Sequence, residues 1–327
     1  MKGAISDETF FGEGGRHRCL VYTGVFVRQH ATPSTFGTSA SWVILNPIEQ
    51  GIQRKIEAVG TPLKEWDISI NYGIKTGFNE AFIVDETKRN EILAQCRTTD
   101  ERKRTDELIR PILRGKDIKR YAYHWANLYI IATFPSLHYD IEQYPAIKKH
   151  LLSFDLRRVE QTGKSYTVNG EKITARKKTN NKWFETQDAI NYWDDFSKPK
   201  IVWGEISDKT KFALDQNGIF FAEATTFLLT GKNLPYLVCY LNSSLSEYLF
   251  SKIGTTTGVG TVRWKKFKIE QMLVPCISAK SERDFIRLLS GLDTGKVDEA
   301  EINHRIFEIV GLSGKEIAFV ENYSQSI

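Results

Sequence analysis

The chain is poor in the features that would place it in a membrane or in several common enzyme classes. None of its apolar runs reaches eighteen residues, so a membrane-spanning helix is excluded. Its four cysteines, Cys19, Cys96, Cys239 and Cys276, are scattered and form no C-x-x-C pair. Neither a disulfide framework nor a zinc site is therefore expected, and a reducing cytoplasm is the simplest compartment. The first residues, Met1-Lys2-Gly3-Ala4-Ile5-Ser6-Asp7-Glu8, have no apolar core, so no secretory leader is expected. The phosphate-binding pattern G-x-x-x-x-G-K-(S/T) is missing, which excludes a P-loop ATPase; H-E-x-x-H and G-x-S-x-G are missing too. The six histidines show no metal-ligand spacing.

What is present suits a folded chain. Of the 327 residues, 41 % are hydrophobic and 26 % charged, enough apolar material for one large domain or two ordinary ones. A net charge of +5 decides little by itself, but its distribution decides more. Arg102, Lys103, Arg104, Arg110, Arg114, Lys116, Lys119 and Arg120 face only Asp106, Glu107 and Asp117. A second cluster runs from Lys148 to Lys182 and a third from Lys252 to Lys268, whereas the tail from Ser281 is acidic overall. A single charge run is usually a solvated face. Three clusters mixed with Gly, Thr, Asn, Tyr and Trp suit a phosphate backbone, where each neutralised phosphate releases counterions.

Periodicity places these clusters on elements. Residues 1–40 read as loop, apart from a strand at Val21 to Val27. Asn46-Pro47-Ile48-Glu49 reads as a helix start, with Ile48, Ile52, Ile56 and Val59 on one face and Gly60 as its stop. Trp66 to Val84 reads as strand, glycine-rich turn, strand. Thr87 to Cys96, Asp106 to Leu113 and Tyr139 to Arg158 read as helical, the last with a break near Pro145, and Tyr129 to Ala132 as a buried strand. Residues 161–182 read as a long exposed loop or hairpin. Lys200 to Ile206, Phe212 to Leu214, Phe220 to Ala222 and Thr225 to Leu229 read as successive strands. Leu234 to Phe250 reads as one helix, Gly254 to Gly260 as a loop, and Glu282 to Leu292, Val297 to Val310 and Ser313 to Glu321 as amphipathic helices.

Catalytic patterns are weak. Glu86-Thr87-Lys88, Glu101-Arg102-Lys103 and Asp117-Ile118-Lys119 match the end of a PD-(D/E)xK nuclease motif, but none follows a strand bearing a paired aspartate. Asn46-Pro47-Ile48-Glu49 lacks the second proline and the aromatic of an amino-methyltransferase loop. Phe11-Gly12-Glu13-Gly14-Gly15 lacks the flanking strand and helix of a cofactor loop and reads as a flexible turn.

Several segments together carry a family resemblance. Trp66-Asp67-Ile68 through Gly73-Ile74-Lys75-Thr76-Gly77-Phe78-Asn79-Glu80-Ala81-Phe82 resembles the opening of the target recognition domain of type IIG restriction-modification enzymes and related adenine-specific DNA methyltransferases. Leu108-Ile109-Arg110-Pro111-Ile112-Leu113-Arg114-Gly115-Lys116-Asp117-Ile118-Lys119-Arg120-Tyr121 is the more specific match. Trp203-Gly204-Glu205-Ile206, Ala222-Glu223-Ala224-Thr225-Thr226-Phe227, Leu241-Asn242-Ser243 and the loop Gly254 to Gly260 with Arg263-Trp264 complete the order. The resemblance is to the TaqI-like C-terminal specificity domain, over roughly residues 42 to 322.

That resemblance implies a reader of double-stranded DNA serving a methyltransferase, often with a nuclease, in cis or trans. The implied fold is α/β or α+β: a mixed twisted sheet with a C-terminal helical segment. The expected divisions are 1–41, a loop-rich extension and remnant of an upstream module; 42–277, the recognition domain; and 278–327, the helical segment. No cofactor is expected in this chain, while S-adenosylmethionine and Mg²⁺ would serve the parent enzyme. A free-standing specificity protein, a split subunit and a fragment all remain open. Glycine loops allow close approach to phosphates, and Arg, Lys, Asn and Thr can contact backbone or base edges. The expected DNA-binding residues are Lys75, Thr76, Asn79, Arg114, Lys116, Lys164, Arg176, Lys177, Lys178, Lys252, Thr255, Thr256, Thr257, Arg263, Lys265 and Lys266. Competing readings exist for several residues. Gly73 and Gly77 could simply close a tight hairpin, Arg110 and Arg114 could pair with Asp106, Glu107 or Asp117, and Trp183, Trp193 and Trp203 read as core. Two rival functions are a nuclease around Asp67, Glu86 and Lys88, and a specificity subunit whose C-terminal helices dock catalytic partners.

Overall fold

The computed structural model describes residues 45–256 and 261–325. The expected strand at Val21 to Val27, the turn at Phe11 to Gly15 and the extension 1–41 lie outside the described residues, as do Thr257 and the rest of its loop to Gly260. The first element is the helix Pro47–Val59 that the Asn-Pro pair signals. Asn46 Oδ1 accepts from the amides of Ile48 and Glu49 at 2.9 and 3.0 Å, and the Glu49 carboxylate accepts from the Asn46 amide at 2.9 Å. This reciprocal cap satisfies otherwise orphaned donors of the first turn. Gly60 does not merely stop the helix. It begins a strand, Gly60–Pro62, that pairs antiparallel with Leu273–Pro275.

Residues 54–327 form one compact unit. It contains two four-stranded sheets. The first runs in the order Phe212–Asp215, Lys200–Gly204, Thr226–Gly231, Ile68–Tyr72, antiparallel throughout. The second runs Phe221–Ala222, Ile109–Leu113, Leu128–Ile131, Ile83–Asp85; its first pair is parallel and the others are antiparallel. The mixed sheet architecture is thus present. Val202, Ala213 and Leu228 from the first sheet share a core with Ile112, Leu113 and Ile130 from the second, filled by the stacked rings of Phe134, Phe196 and Phe221. Ile131, one residue from Ile130, joins the opposite core with Ile109, Ile92, Ile147 and Leu151. Adjacent strand residues point to opposite faces, so a sheet covered on both sides reads as an unbroken apolar run.

The local pattern misleads in three places. Asp106 to Leu113 is not a helix: the helix Thr99–Leu108 stops and a strand, Ile109–Leu113, follows. Pro111 explains the change, since it has no amide to donate and would clash within a helix. The strands at either end of Trp66 to Val84 do not form a hairpin; they lie in different sheets, separated by the short helix Asn79–Phe82. Leu234 to Phe250 is two helices, Leu234–Asn242 and Ser244–Ile253, because Ser243 leaves helical geometry and caps the second. Tyr139 to Arg158 breaks before Pro145, as expected, and again after Leu152, giving the helices Pro145–Leu152 and Leu156–Val159. The C-terminal helices Ala279–Asp293, Glu299–Val310 and Gly314–Gln325 are as the periodicity indicates. Phe285 of the first of these is buried against the Tyr236 ring at 4.9 Å. Among the described residues no helix is long and apolar enough to cross a membrane.

One buried charge lies inside this framework. Lys200 and Asp215 are directly paired across neighbouring strands, and both side chains are buried. Lys200 Nζ donates to Asp215 Oδ2 at 2.6 Å and to the Phe196 carbonyl at 2.7 Å. The same carboxylate accepts from the amides of Ile219 and Phe220 at 3.1 and 2.8 Å, closing the turn that follows the strand. Burial pushes the Lys200 amine down, against the pull of Asp215. Replacing Lys200 with Met leaves a buried carboxylate without its cation. The expected loss is about 3–5 kcal/mol in urea unfolding, part of it regained in Lys200→Met/Asp215→Asn, which keeps the acceptor and removes the charge.

Candidate nucleic-acid interface

The glycine-rich segment after Ile68–Tyr72 is the seam between the two sheets. The Gly73 amide donates to the Thr226 carbonyl at 2.9 Å, in the first sheet, and the Ile74 amide to the Ala222 carbonyl at 2.7 Å, in the second. Ile74 then pairs with Glu223 as a parallel bridge. A Cβ on Gly73 would sit 2.0 Å from the Glu223 carbonyl oxygen, so only glycine fits there. Gly77 takes a φ of +77°, which a side chain would strain.

Glu223 organises the seam. It is 8 % exposed. One carboxylate oxygen accepts from Asn79 Nδ2 at 3.3 Å, and the other from the Thr225 amide and hydroxyl at 3.1 and 2.6 Å. Asn79 Oδ1 accepts from the buried Thr76 hydroxyl at 2.6 Å. The Glu205 amide donates to the Thr225 carbonyl and the Trp264 amide to the Glu205 carbonyl, at 2.9 and 2.7 Å. Trp203 Nε1 donates to the Trp264 carbonyl at 2.8 Å, while Arg263 pairs with Glu205 at 2.9 Å. Gly115 and Gly204 pack backbone to backbone: a Cβ on Gly204 would meet the Gly115 Cα at 3.2 Å. Segments far apart in sequence therefore meet around the turn Glu223–Thr225. Glu205 and Glu223 were given no role from sequence; the available signal was an acid directly after an apolar strand, within Trp-Gly-Glu and Ala-Glu-Ala-Thr-Thr.

Arg114 takes the ion-pair alternative. Its guanidinium holds Asp117 through two bonds of 2.9 and 2.8 Å, and its amide donates to the same carboxylate at 2.9 Å. Burial alone would raise the Asp117 carboxyl, but these hydrogen bonds outweigh it and hold the group below its ordinary range. The side chain stays partly exposed on its outer side.

The segment 161–182 contains a two-stranded hairpin, Ser165–Val168 with Glu171–Thr174, turned by Asn169 and Gly170, both at positive φ. Such a pair fits a type I′ turn. The expectation that Arg176 reaches DNA is corrected. Its side chain is buried and donates to four backbone carbonyls: Val159 and Thr76 at 2.7 Å, Glu185 at 2.8 Å and Trp183 at 2.5 Å. The guanidinium also lies 4.8 Å over the Phe82 ring. Burial lowers it to about 10, still a cation at neutral pH. Thr76 is likewise buried, with its hydroxyl bound inward, and does not face solvent.

The remaining candidates divide by their bonds. Lys75, Lys116, Lys164, Lys177 and Lys178 are exposed, and Lys265 partly so; none has a side-chain partner among the described residues. Lys252 lies 5.1 Å over the Tyr248 ring, and Lys266 donates to the Ile70 carbonyl at 2.6 Å. Thr255 and Thr256 form a short strand with Val262 and Arg263. Trp203 is core, as expected, but Trp193 is 44 % exposed. The rival nuclease triad is not assembled as one: Asp67 pairs with Lys232, Lys88 pairs with Glu91, and Glu86 opens the helix Glu86–Ala94 beyond a strand of the other sheet. Among the described residues no group of three or more His, Cys, Asp or Glu is placed to hold a metal ion.

The family described as the TaqI-like C-terminal specificity domain matches residues 110–274. No curated protein matches the chain. Among solved structures, the type IIL restriction-modification enzyme MmeI, determined in complex with DNA, is similar over 81 % of this chain and 36 % of its own, with a TM-score of 0.51 at 11 % identity. The type IIG restriction endonuclease BpuSI is similar over 85 % of this chain and 32 % of its own, with a TM-score of 0.48 at 12 % identity. The chain thus spans about a third of the length of these enzymes. The likeness to MmeI shows a shared fold.

The anchoring roles can be checked by stability. Arg176→Met leaves the Val159, Thr76 and Trp183 carbonyls without the donor they have here, while Glu185 keeps Gln161, so a loss of about 3 kcal/mol or more in urea unfolding is expected. Asp117 contributes stability above its unfolded value that is lost as pH falls through its lower folded value. In Arg114→Leu the carboxyl rises, so acid unfolding, followed by circular dichroism, should begin at higher pH than in the wild type.

Proposed function

The chain belongs to the family of TaqI-like C-terminal specificity domains, and from that we propose that it selects the double-stranded DNA target of a restriction-modification system. The observation that carries the reading is a division of charge between the seam, the Gly115 turn and the base of the hairpin. The carboxylates of Glu223, Glu205 and Asp117 are bonded to neighbouring groups, while Lys75, Lys116, Lys164, Lys177 and Lys178 are exposed and make no side-chain hydrogen bond or ion pair among the described residues. A rigid scaffold presenting exposed cations attracts a polyanion.

Bond-making would belong to a methyltransferase or nuclease module in cis or trans. S-adenosylmethionine, and Mg²⁺ where cleavage is coupled to methylation, would be held there. The glycine segment of this chain offers no nucleotide cradle, because the Glu223 backbone fills the space at Gly73 and the Gln187 side chain fills it at Gly77. The role of this chain is then to fix register on the duplex and to set which sequence the partner module meets.

Fluorescence anisotropy of a labelled duplex across a salt series tests the proposal. Affinity should fall steeply as salt rises. Lys177→Glu/Lys178→Glu should weaken binding by about tenfold or more and flatten the salt slope by about two. Affinity unchanged by the charge reversal would remove these lysines from the interface.

A further inference from the structure

The hairpin Ser165–Thr174 has a construction that its charge alone does not explain. Among the described residues its two strands pair only with each other, and neither outer edge has a neighbouring strand. A lone two-stranded ribbon is marginal in water. This one is held at its base: Arg176 locks the return strand onto four carbonyls of three other segments, and Gln161 donates to the carbonyls of Lys182 and Glu185 at 3.1 and 3.0 Å. The register, Tyr166 opposite Ile173 and Thr167 opposite Lys172, sorts the side chains onto two faces. Tyr166, Val168 and Ile173 are partly buried, and the Tyr166 hydroxyl donates to Glu160. Ser165, Thr167, Lys172 and Thr174 occupy the opposite face, and all four are exposed. That face carries hydroxyls and one cation but no carboxylate; Glu171 lies on the Tyr166 side.

We propose that this ribbon enters the major groove of the target duplex and that Thr167 and Lys172, paired across its polar face, read base edges. The inference rests on the DNA-recognition reading above and assigns sequence choice to residues apart from the lysines that grip phosphates. The dimensions agree. Four paired residues rising about 3.4 Å each give a reach of about 14 Å. The major groove is about 12 Å wide and 8.5 Å deep, and it admits a two-stranded ribbon. A threonine hydroxyl donates or accepts, its methyl can meet the thymine methyl, and a lysine ammonium donates to guanine O6 and N7. Lys177 and Lys178 follow directly after the Arg176 anchor, beside Gly163 at the base of the ribbon, where a phosphate strand would pass.

The test uses the full 327-residue chain and a pool of randomised duplexes. The wild type should enrich a consensus. Thr167→Ala/Lys172→Ala, both at exposed positions, should keep the wild-type unfolding transition and bind scrambled duplex within about threefold of wild type. Its preference for the consensus over scrambled duplex should fall by about tenfold or more, with the relaxation confined to one or two positions. A double variant that enriches the same consensus with undiminished preference overturns the ribbon proposal and leaves the DNA-binding reading standing. A wild-type chain that binds duplex in a salt-dependent way but returns no consensus also overturns the ribbon proposal alone. A wild-type chain that binds no duplex overturns both.

Discussion

A single seam joins the two sheets. Between Tyr72 and Asn79 the chain leaves one sheet and reaches the other, and its amides at Gly73 and Ile74 bond one partner in each. The contact is too close for any side chain at Gly73. Backbone hydrogen bonds of this kind fix position far more tightly than exposed ion pairs, because they are short and directional and the peptide has few soft torsions. The turn Glu223–Thr225, the Gly115–Gly204 contact and the Arg263–Glu205 pair all attach to this point. Lys75 and Lys116, exposed on its segments, sit on a frame that does not have to be ordered when a ligand arrives.

Arg176 extends the same logic to the hairpin. Its guanidinium is buried with no direct carboxylate bond, and four main-chain oxygens stand in for one. Desolvating a cation is costly unless its donors are satisfied, and here four of the five N–H groups are used. The result ties Thr76, Val159, Trp183 and Glu185 into one node, so the glycine segment and the base of the ribbon move together. A residue that looks like a phosphate contact in a Lys/Arg run is therefore the element that positions its neighbours. Lys177 and Lys178, the next two residues, keep their charges outside.

The two faces of the second sheet show why hydrophobic pattern was a partial guide. Ile130 and Ile131 are both buried, but in different cores, and a run such as Tyr129 to Ala132 is legible as a buried strand without revealing what lies on either side. The misread helix at Ile109–Leu113 had its own warning in Pro111. The misread hairpin at Trp66 to Val84 had none, because alternation and glycine look the same whether the second strand returns to the first or leaves for another sheet. The break at Ser243 depends on one hydroxyl reaching the Ser246 amide, a competition between capping and continuation that apolar spacing does not register.

By itself the sequence determined the mixed α/β character, the capped helix at Pro47, the family to which the chain belongs, and the charged stretches from which a polyanion site could be drawn. These follow from local chemistry: periodicity, caps, turn residues and motif order. The tertiary structure decided which charges are available. Arg114 has its partner Asp117 three residues on, a pairing the sequence already offers; Arg176 stands beside Lys177 with nothing to tell them apart, yet its guanidinium is bound inward and Lys177 projects. That difference depends on carbonyls supplied by the fold, those of Thr76 and Val159 among them, and contacts of that kind exist only once the chain has closed on itself.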